Sequence, residues 1–211
     1  MSEQKERLGY EVIASGSKGN CVVIGDVMVD CGVAYTKLKD YLYDVKYLLI
    51  THVHSDHLRK STFNYIKKHF PHIKTIGNYD VAQTVDVHYI INAGFELLTD
   101  DYVFNAFKCV HDVETYGFYW VQDGYNIIYA TDTSNMNFAP KDIPFDFLFL
   151  ESNHDEKKLE AVRNRHRELG YDAYGGGKRH LSTRKSREYY FVNRRDNEAE
   201  HIELHKSERF Y

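Results

Sequence analysis

A chain of 211 residues with 43% hydrophobic and 15% aromatic side chains can fill the core of one globular domain, taken as 1–211, which excludes a disordered chain. Its formal net charge of -4 conceals an asymmetry, because residues 157–195 hold 12 Lys or Arg against 4 Asp or Glu, a local +8 that leaves -12 on the rest. Such a basic quarter suits an anionic partner, or two solvated helix faces.

The elements follow in order. "YEVIAS" and "CVVIGDVMVDCG" read as strands, the second folded at a Gly-Asp turn. "AYTKLKDYLYDV" predicts a helix with Leu38, Tyr41 and Leu42 on one face. "KYLLITH" is a buried strand that runs directly into a cluster of histidines, and "RKSTFNYIKKHF" is a second helix ended by Pro71. Strands are expected at "IKTIG", "YVFNAFKCVH", "YGFYWVQ", "YNIIYATD" and "FDFLFLES". Glu156 to Leu169, closed by Gly170, and "STRKSREYYFVNRR" predict helices, and "HIELHK" is a last strand. Two strand-rich halves, each followed by helices, imply packed sheets with helices outside.

No apolar run approaches the roughly 20 residues of a membrane span, and "MSEQKERLGY" lacks the apolar region of a secretory signal. Cys21, Cys31 and Cys109 are odd in number without CxxC spacing, so they are expected to be reduced, buried thiols of a cytoplasmic protein.

The chemistry concentrates in "THVHSDH". His52 and His54, two apart at a strand end, point to one side, and Asp56 and His57 follow where the chain turns. That spacing can offer two nitrogens to one metal ion and a carboxylate with a nitrogen to another. Later runs supply further candidates: His111 after "YVFNAFKCV", Asp132 in "ATDTS", and His180 closing "GGGKRHLS". Nitrogen and oxygen donors without cysteine suit zinc, manganese or iron.

This order of motifs resembles the metallo-β-lactamase superfamily, from "VMVDCG" to "HLS". The resemblance implies an α/β fold, an αββα four-layer sandwich, with two divalent metal ions (zinc or manganese) at one edge between the sheets. It also implies that His52, His54 and His111 hold the first ion and Asp56, His57 and His180 the second, with Asp132 bridging. A hydroxide between the ions would be the nucleophile, the two lying about 3.5–4 Å apart, and Asp30 would support the ligands.

"IASGSKGNCVVI", "FLFLESNHD" and "RHLS" resemble the YycJ-type (WalJ-type) nuclease branch, whose members carry "ASGSSGN" at the first position. That likeness implies a 5′ DNA exonuclease. Cyclic-nucleotide phosphodiesterases and tRNase Z-like RNA-processing hydrolases of the same fold are the alternatives. On this reading Asp56, His154 and Glu151 are catalytic, His154 protonating the leaving oxygen while Glu151 orients it. Ser17, Asn20, Lys178, Arg179 and Ser182 would touch a nucleic acid or nucleotide. Arg184, Lys185 and Arg187 would continue a phosphate track, and Tyr171, Tyr174, Tyr189 and Tyr190 could stack on bases. A compact, divergent copy of this kind fits a phage genome, as a monomer or homodimer away from membranes.

Overall fold

Short runs of Val, Ile, Leu and Phe between Gly and Asp turns form two six-stranded sheets in the computed structural model, which describes residues 7–165, 170 and 172–211. The first sheet is built from β1 (Tyr10–Ala14), β2 (Cys21–Ile24), β3 (Val27–Val29), β4 (Tyr47–Leu49), β5 (Lys74–Gly77) and β6 (Tyr89–Ile90), paired in chain order. Its first three strands are antiparallel, and β3 to β6 run parallel. The second contains β7 (Glu96–Leu98), β8 (Val103–Cys109), β9 (Thr115–Gln122), β10 (Tyr125–Ala130), β11 (Phe147–Glu151) and β12 (Glu200–Leu204). β7 to β10 are antiparallel, while β10, β11 and β12 are parallel.

Strand alternation divides the apolar residues among three cores. Val27, Val29 and Leu49 from one sheet meet Phe118, Ile127, Tyr129 and Phe149 from the other, which glues the sheets face to face. Met28 and Leu48 point outward and are covered by Phe63 and Ile66 of α1 (Lys60–His69). Ile128, Leu148 and Leu150 point outward from the second sheet against Leu181 and Tyr189. The parallel strands are therefore apolar on both faces, and the layering is the expected αββα sandwich.

Two predicted helices are shorter than the sequence pattern suggests. "AYTKLKDYLYDV" forms a 3-10 turn at Tyr35–Lys37 and then further turns, although Leu38 and Leu42 are buried as expected. Its backbone bonds run mainly to the third residue back, and Ala34 offers no side-chain cap to start a regular helix. From Glu156 the structure gives α3 (Glu156–Glu160) and then turns, and residues 166–169 lie outside the described residues. α2 (Tyr79–Thr84), capped by Asn78, and α4 (Ala173–Lys178), within the glycine-rich stretch, were not legible as helices.

Ser182 is spent on the start of α5 (Thr183–Asn193): its Oγ accepts Lys185 N at 3.3 Å and donates to Glu156 Oε1 at 2.7 Å. Glu156 also accepts two bonds from Arg184, at 2.8 and 3.0 Å. The Arg184 guanidinium, then Ser182, pull the Glu156 carboxyl down to about 2. A folded value below the unfolded one means that this stabilisation is complete above about 4.5 and is lost as pH falls toward about 2. Glu156→Gln is expected to flatten the acid side of the stability curve in that window, measured as urea midpoints; an unchanged slope would count against this role.

Candidate metal centre

The carboxyl ends of the parallel strands converge at one edge of the sandwich, where open α/β sheets place their sites. β3 leads to Asp30 and β4 leads into His52–Leu58, while β8, β10 and β12 lead to His111, Asp132 and His205 and β11 ends at Glu151. The histidine loop is stitched to its neighbours by main-chain bonds: Cys31 N to His57 O at 2.9 Å and Asn20 N to Asp56 O at 2.7 Å. A Cβ at Gly32 would lie 1.7 Å from the Asp56 carbonyl oxygen, so only glycine allows this approach. Asp30, Asp132 and His205 all have left-handed φ, at 62°, 50° and 52°. That conformation is costly for side chains with a Cβ and clusters at functional sites.

Asp30 is fully buried and organises the loop. Its carboxylate accepts Thr51 N at 2.9 Å and the Thr51 hydroxyl at 2.9 Å, and it lies 2.7 Å from His57 Nδ1. The other nitrogen of His57, Nε2, lies 2.7 Å from Asp132 Oδ2 and 3.7 Å from Asp56 Oδ2, so the ring is held between carboxylates at both nitrogens, with Asp30 setting its orientation. Asn20 clamps the same region, its amide nitrogen 2.8 Å from His57 Nε2 and its oxygen accepting Gly16 N at 2.7 Å. Asn20 is thus buried against His57 rather than presented to solvent.

Ligand-capable atoms gather in overlapping groups, each within 4.8 Å: His52, His54 and His111; His52, His57 and Asp132; Asp56, His57 and His205; and Asp132, Glu151, His180 and His205. Asp132 belongs to two of these groups and touches His57, so it stands between the triad His52, His54, His111 and the triad Asp56, His57, His205. His205 was absent from the sequence reading. Its Nε2 is buried without a hydrogen-bond partner and lies 3.7 Å from Asp132 Oδ1.

His180, expected as the last ligand, belongs to the group with Asp132, Glu151 and His205. Its Nδ1 is 2.7 Å from Glu151 Oε1 and 3.4 Å from Asp132 Oδ1. Glu151 is fully buried; its second oxygen accepts Thr133 N at 2.9 Å and Leu181 N at 3.2 Å, and Oε1 also lies 3.1 Å from His205 Nδ1. The Glu151–His180–His205 triplet is thereby satisfied by its own hydrogen bonds, unlike the outward nitrogen of His205. Glu151 therefore orients His180 and His205. His154, expected to be its partner in proton transfer, belongs to none of the ligand groups. It is 3% exposed, bridged through its backbone to Ser182, and its Nδ1 has no partner.

The electrostatics are those of a site built for cations. Burial and the neighbouring His57 push the His52 imidazole far down, so it is neutral and able to donate a lone pair. Burial also opposes charge on His57, but the Asp132 and Asp30 carboxylates outweigh it and hold that ring well above its ordinary value. Burial raises Glu151, yet the His180 and His205 bonds bring it below its usual range. His111 Nδ1 joins His205 Nε2 among the buried nitrogens without a partner, and each such orphan costs about 1–3 kcal/mol. Nitrogen and oxygen donors converging on a shared carboxylate fit two divalent cations that would relieve that cost.

The remaining predicted contacts divide. Ser17 and Arg179 line a cleft of about 640 Å³ that also exposes His180 and His205. Arg179 Nη1 lies 3.7 Å from Asp112 Oδ2, beside His111. Lys178 instead stands over the Tyr174 ring, 5.5 Å from its centroid, and Ser182 is buried in its cap. The expected phosphate track is largely consumed by ion pairs, Arg184 with Glu156 and Glu188, and Arg187 with Glu203. Tyr189 is buried and donates to Pro140 O, Tyr190 stacks on His201, and Tyr171 lies outside the described residues.

No protein-family model matches the chain, and no curated protein matches it in sequence. Solved structures do match. The Bacillus subtilis metallo-β-lactamase fold protein YhfI superposes with a TM-score of 0.65 at 20% identity, over 86% of this chain and 80% of that one. The short form of human tRNase Z gives 0.67 at 15% identity, over 95% and 93%. A diphosphatase of the PhnP family gives 0.62 at 15% identity, over 97% and 88%. The chain therefore has the metallo-β-lactamase fold.

Proposed function

We propose that this chain with the metallo-β-lactamase fold is a two-metal hydrolase of phosphodiesters, and that its substrate is a DNA strand cut from the 5′ end. The observation that carries the hydrolase reading is Asp132 placed between two donor triads at the strand ends. Two of the structural neighbours bear names of phosphate-cleaving enzymes, tRNase Z and a diphosphatase, which supports phosphoester chemistry. The 5′ DNA specificity and the nuclease branch rest on the "ASGSKGN" and "ESNHD" likeness alone.

His52, His54 and His111 would hold one ion, Asp56, His57 and His205 the other, and Asp132 both. When bound, two such ions lower the pKa of water and clamp the oxygens of an in-line displacement. The chain's own residues complete the chemistry. Asp30 fixes the His57 tautomer, and Glu151 fixes those of His180 and His205. His180, whose side chain is 19% exposed at the cleft, is placed to hold a proton for the leaving oxygen, a role the buried His154 is less well placed to fill.

The test is hydrolysis of 5′-labelled single-stranded DNA by manganese-loaded protein. Release of labelled mononucleotide is expected. KM should rise steeply with salt, because each neutralised phosphate releases counterions. Inert DNA together with salt-independent cleavage of a cyclic nucleotide, or trimming of RNA 3′ ends, would replace the DNA reading and leave the hydrolase reading standing.

A further inference from the structure

The cleft beside the ligand cluster is walled by the loop 14–19, by α4 and by the segment 205–210. Its volume of about 640 Å³ falls within the roughly 300–1,000 Å³ of ligand sites. Five cationic side chains line it, Lys18, Lys37, Arg179, Lys206 and Arg209, against two carboxylates, a lining balance of +3 in a chain of net charge -4, with Lys18 paired to Glu208, Lys206 to Glu203 and Arg179 to Asp112. An anionic occupant fits that balance. His205 joins the cleft to the ligand cluster: it lines the wall, is 6% exposed, and its Nε2 has no hydrogen-bond partner among the described residues.

α4, "AYGGGK", places three glycines in six residues. A glycine inside a helix costs about 1 kcal/mol relative to alanine, so each requires a reason. At Gly175 a Cβ would lie 2.3 Å from Asp172 Oδ2, in the carboxylate that caps the helix. At Gly177 it would lie 2.6 Å from Leu159 Cδ1. Gly176 has no such reason among the described residues: a Cβ there meets none of their atoms within 4 Å, and its backbone is not in the left-handed region. Across the cleft Gly16 also faces open space, but a φ of 139° accounts for it. The fold would accept alanine at 176, and the space that a side chain would take belongs to the cleft.

Resting on the phosphodiesterase reading above, we propose that the cleft holds the nucleotide adjoining the scissile phosphate of a nucleic-acid strand. Its sugar and base lie directly on the backbone of Gly176, which sets the width of the cleft. A side chain at this position narrows the passage between α4 and the loop 14–19 while adding helix propensity, so stability and substrate selection should move in opposite directions.

The experiment compares the parent with Gly176→Ala and Gly176→Leu by thermal midpoint, by anisotropy of a fluorescein-labelled oligodeoxythymidylate at low salt, and by turnover of that oligonucleotide and of bis(p-nitrophenyl) phosphate with manganese. The small diester can reach the cluster without filling the cleft. For Gly176→Ala the midpoint should hold or rise. The ratio of kcat/KM for the oligonucleotide to that for the small diester should fall at least about tenfold, carried by KM, and further for Gly176→Leu. A ratio within twofold of the parent in both variants overturns the proposal, as does a lowered midpoint for Gly176→Ala, which would make the glycine structural. If the parent cleaves neither diester, the phosphodiesterase reading fails separately. Anisotropy then decides the cleft: binding weakened in Gly176→Leu supports it, and equal binding overturns it.

Discussion

Asp132→Ala is expected to abolish phosphodiester hydrolysis, by at least about 10³-fold, since removal of even one electrostatic stabiliser from an active site costs 10²–10³-fold. The residue is 4% exposed, its Oδ2 lies 2.7 Å from His57 Nε2, and its Oδ1 is 3.4 Å from His180 Nδ1 and 3.7 Å from His205 Nε2. No other carboxylate among the described residues joins His52 and His57 in one ligand group. Loss of Asp132 should therefore reduce binding at both triads, read as metal content per chain after dialysis. The structural cost is separable. Asp132 has a φ of 50°, a conformation that asparagine tolerates and alanine resists, so Asp132→Asn keeps the turn while removing the charge. Equal loss of metal and activity in both variants identifies the charge as the cause. If Asp132→Asn retains two ions and parental turnover, the bridging role is wrong.

Much of this centre was legible because strand periodicity and ligand spacing act over short distances. "KYLLITH" read as a buried strand, and its strand end places His52, His54, Asp56 and His57 together at one edge of the sheet. Asp132 could be found the same way, after β10. His205 was missed because "HIELHKSE" is polar and its strand only partly buried, so the histidine at its end looked like surface. The signal was nevertheless present. The later candidates His111 and Asp132 follow strands, whereas His180 follows a glycine-rich helix, so a strict strand-end rule would have added His205 as a candidate beside His180. The ion pairs within the basic run were not legible: Arg184 meets Glu156 and Arg187 meets Glu203, partners 28 and 16 residues away that sequence charge counting cannot pair. The short helix at "AYGGGK" escaped because glycine has poor helix propensity, and tertiary contacts with Asp172 and Leu159 overrode it.

The pair His205 and His180 offers the second large effect, because the two rings share one carboxylate oxygen and yet end in different surroundings. Glu151 Oε1 lies 3.1 Å from His205 Nδ1 and 2.7 Å from His180 Nδ1, so each ring turns its Nε2 away from that carboxylate. That atom of His205 is buried, unpartnered and directed toward Asp132, while His180 stands 19% exposed where the cleft admits solvent. On the proposed reading the buried ring is the metal ligand and the exposed ring the one that exchanges protons. His205→Ala should lower bound metal from two ions to one per chain and abolish turnover. His180→Ala should keep both ions and lose about 10²–10⁴-fold in kcat, the range of general acid–base catalysis, with one limb of the pH–rate profile removed. Glu151→Gln should impair both properties, since it leaves both rings without their orienting charge. The opposite split, with the second ion lost in His180→Ala and retained in His205→Ala, would return the last ligand to His180. Glu151 would then orient a metal ligand through His180, and the proton for the leaving oxygen would have to come from elsewhere, His154 being the nearest remaining candidate in sequence.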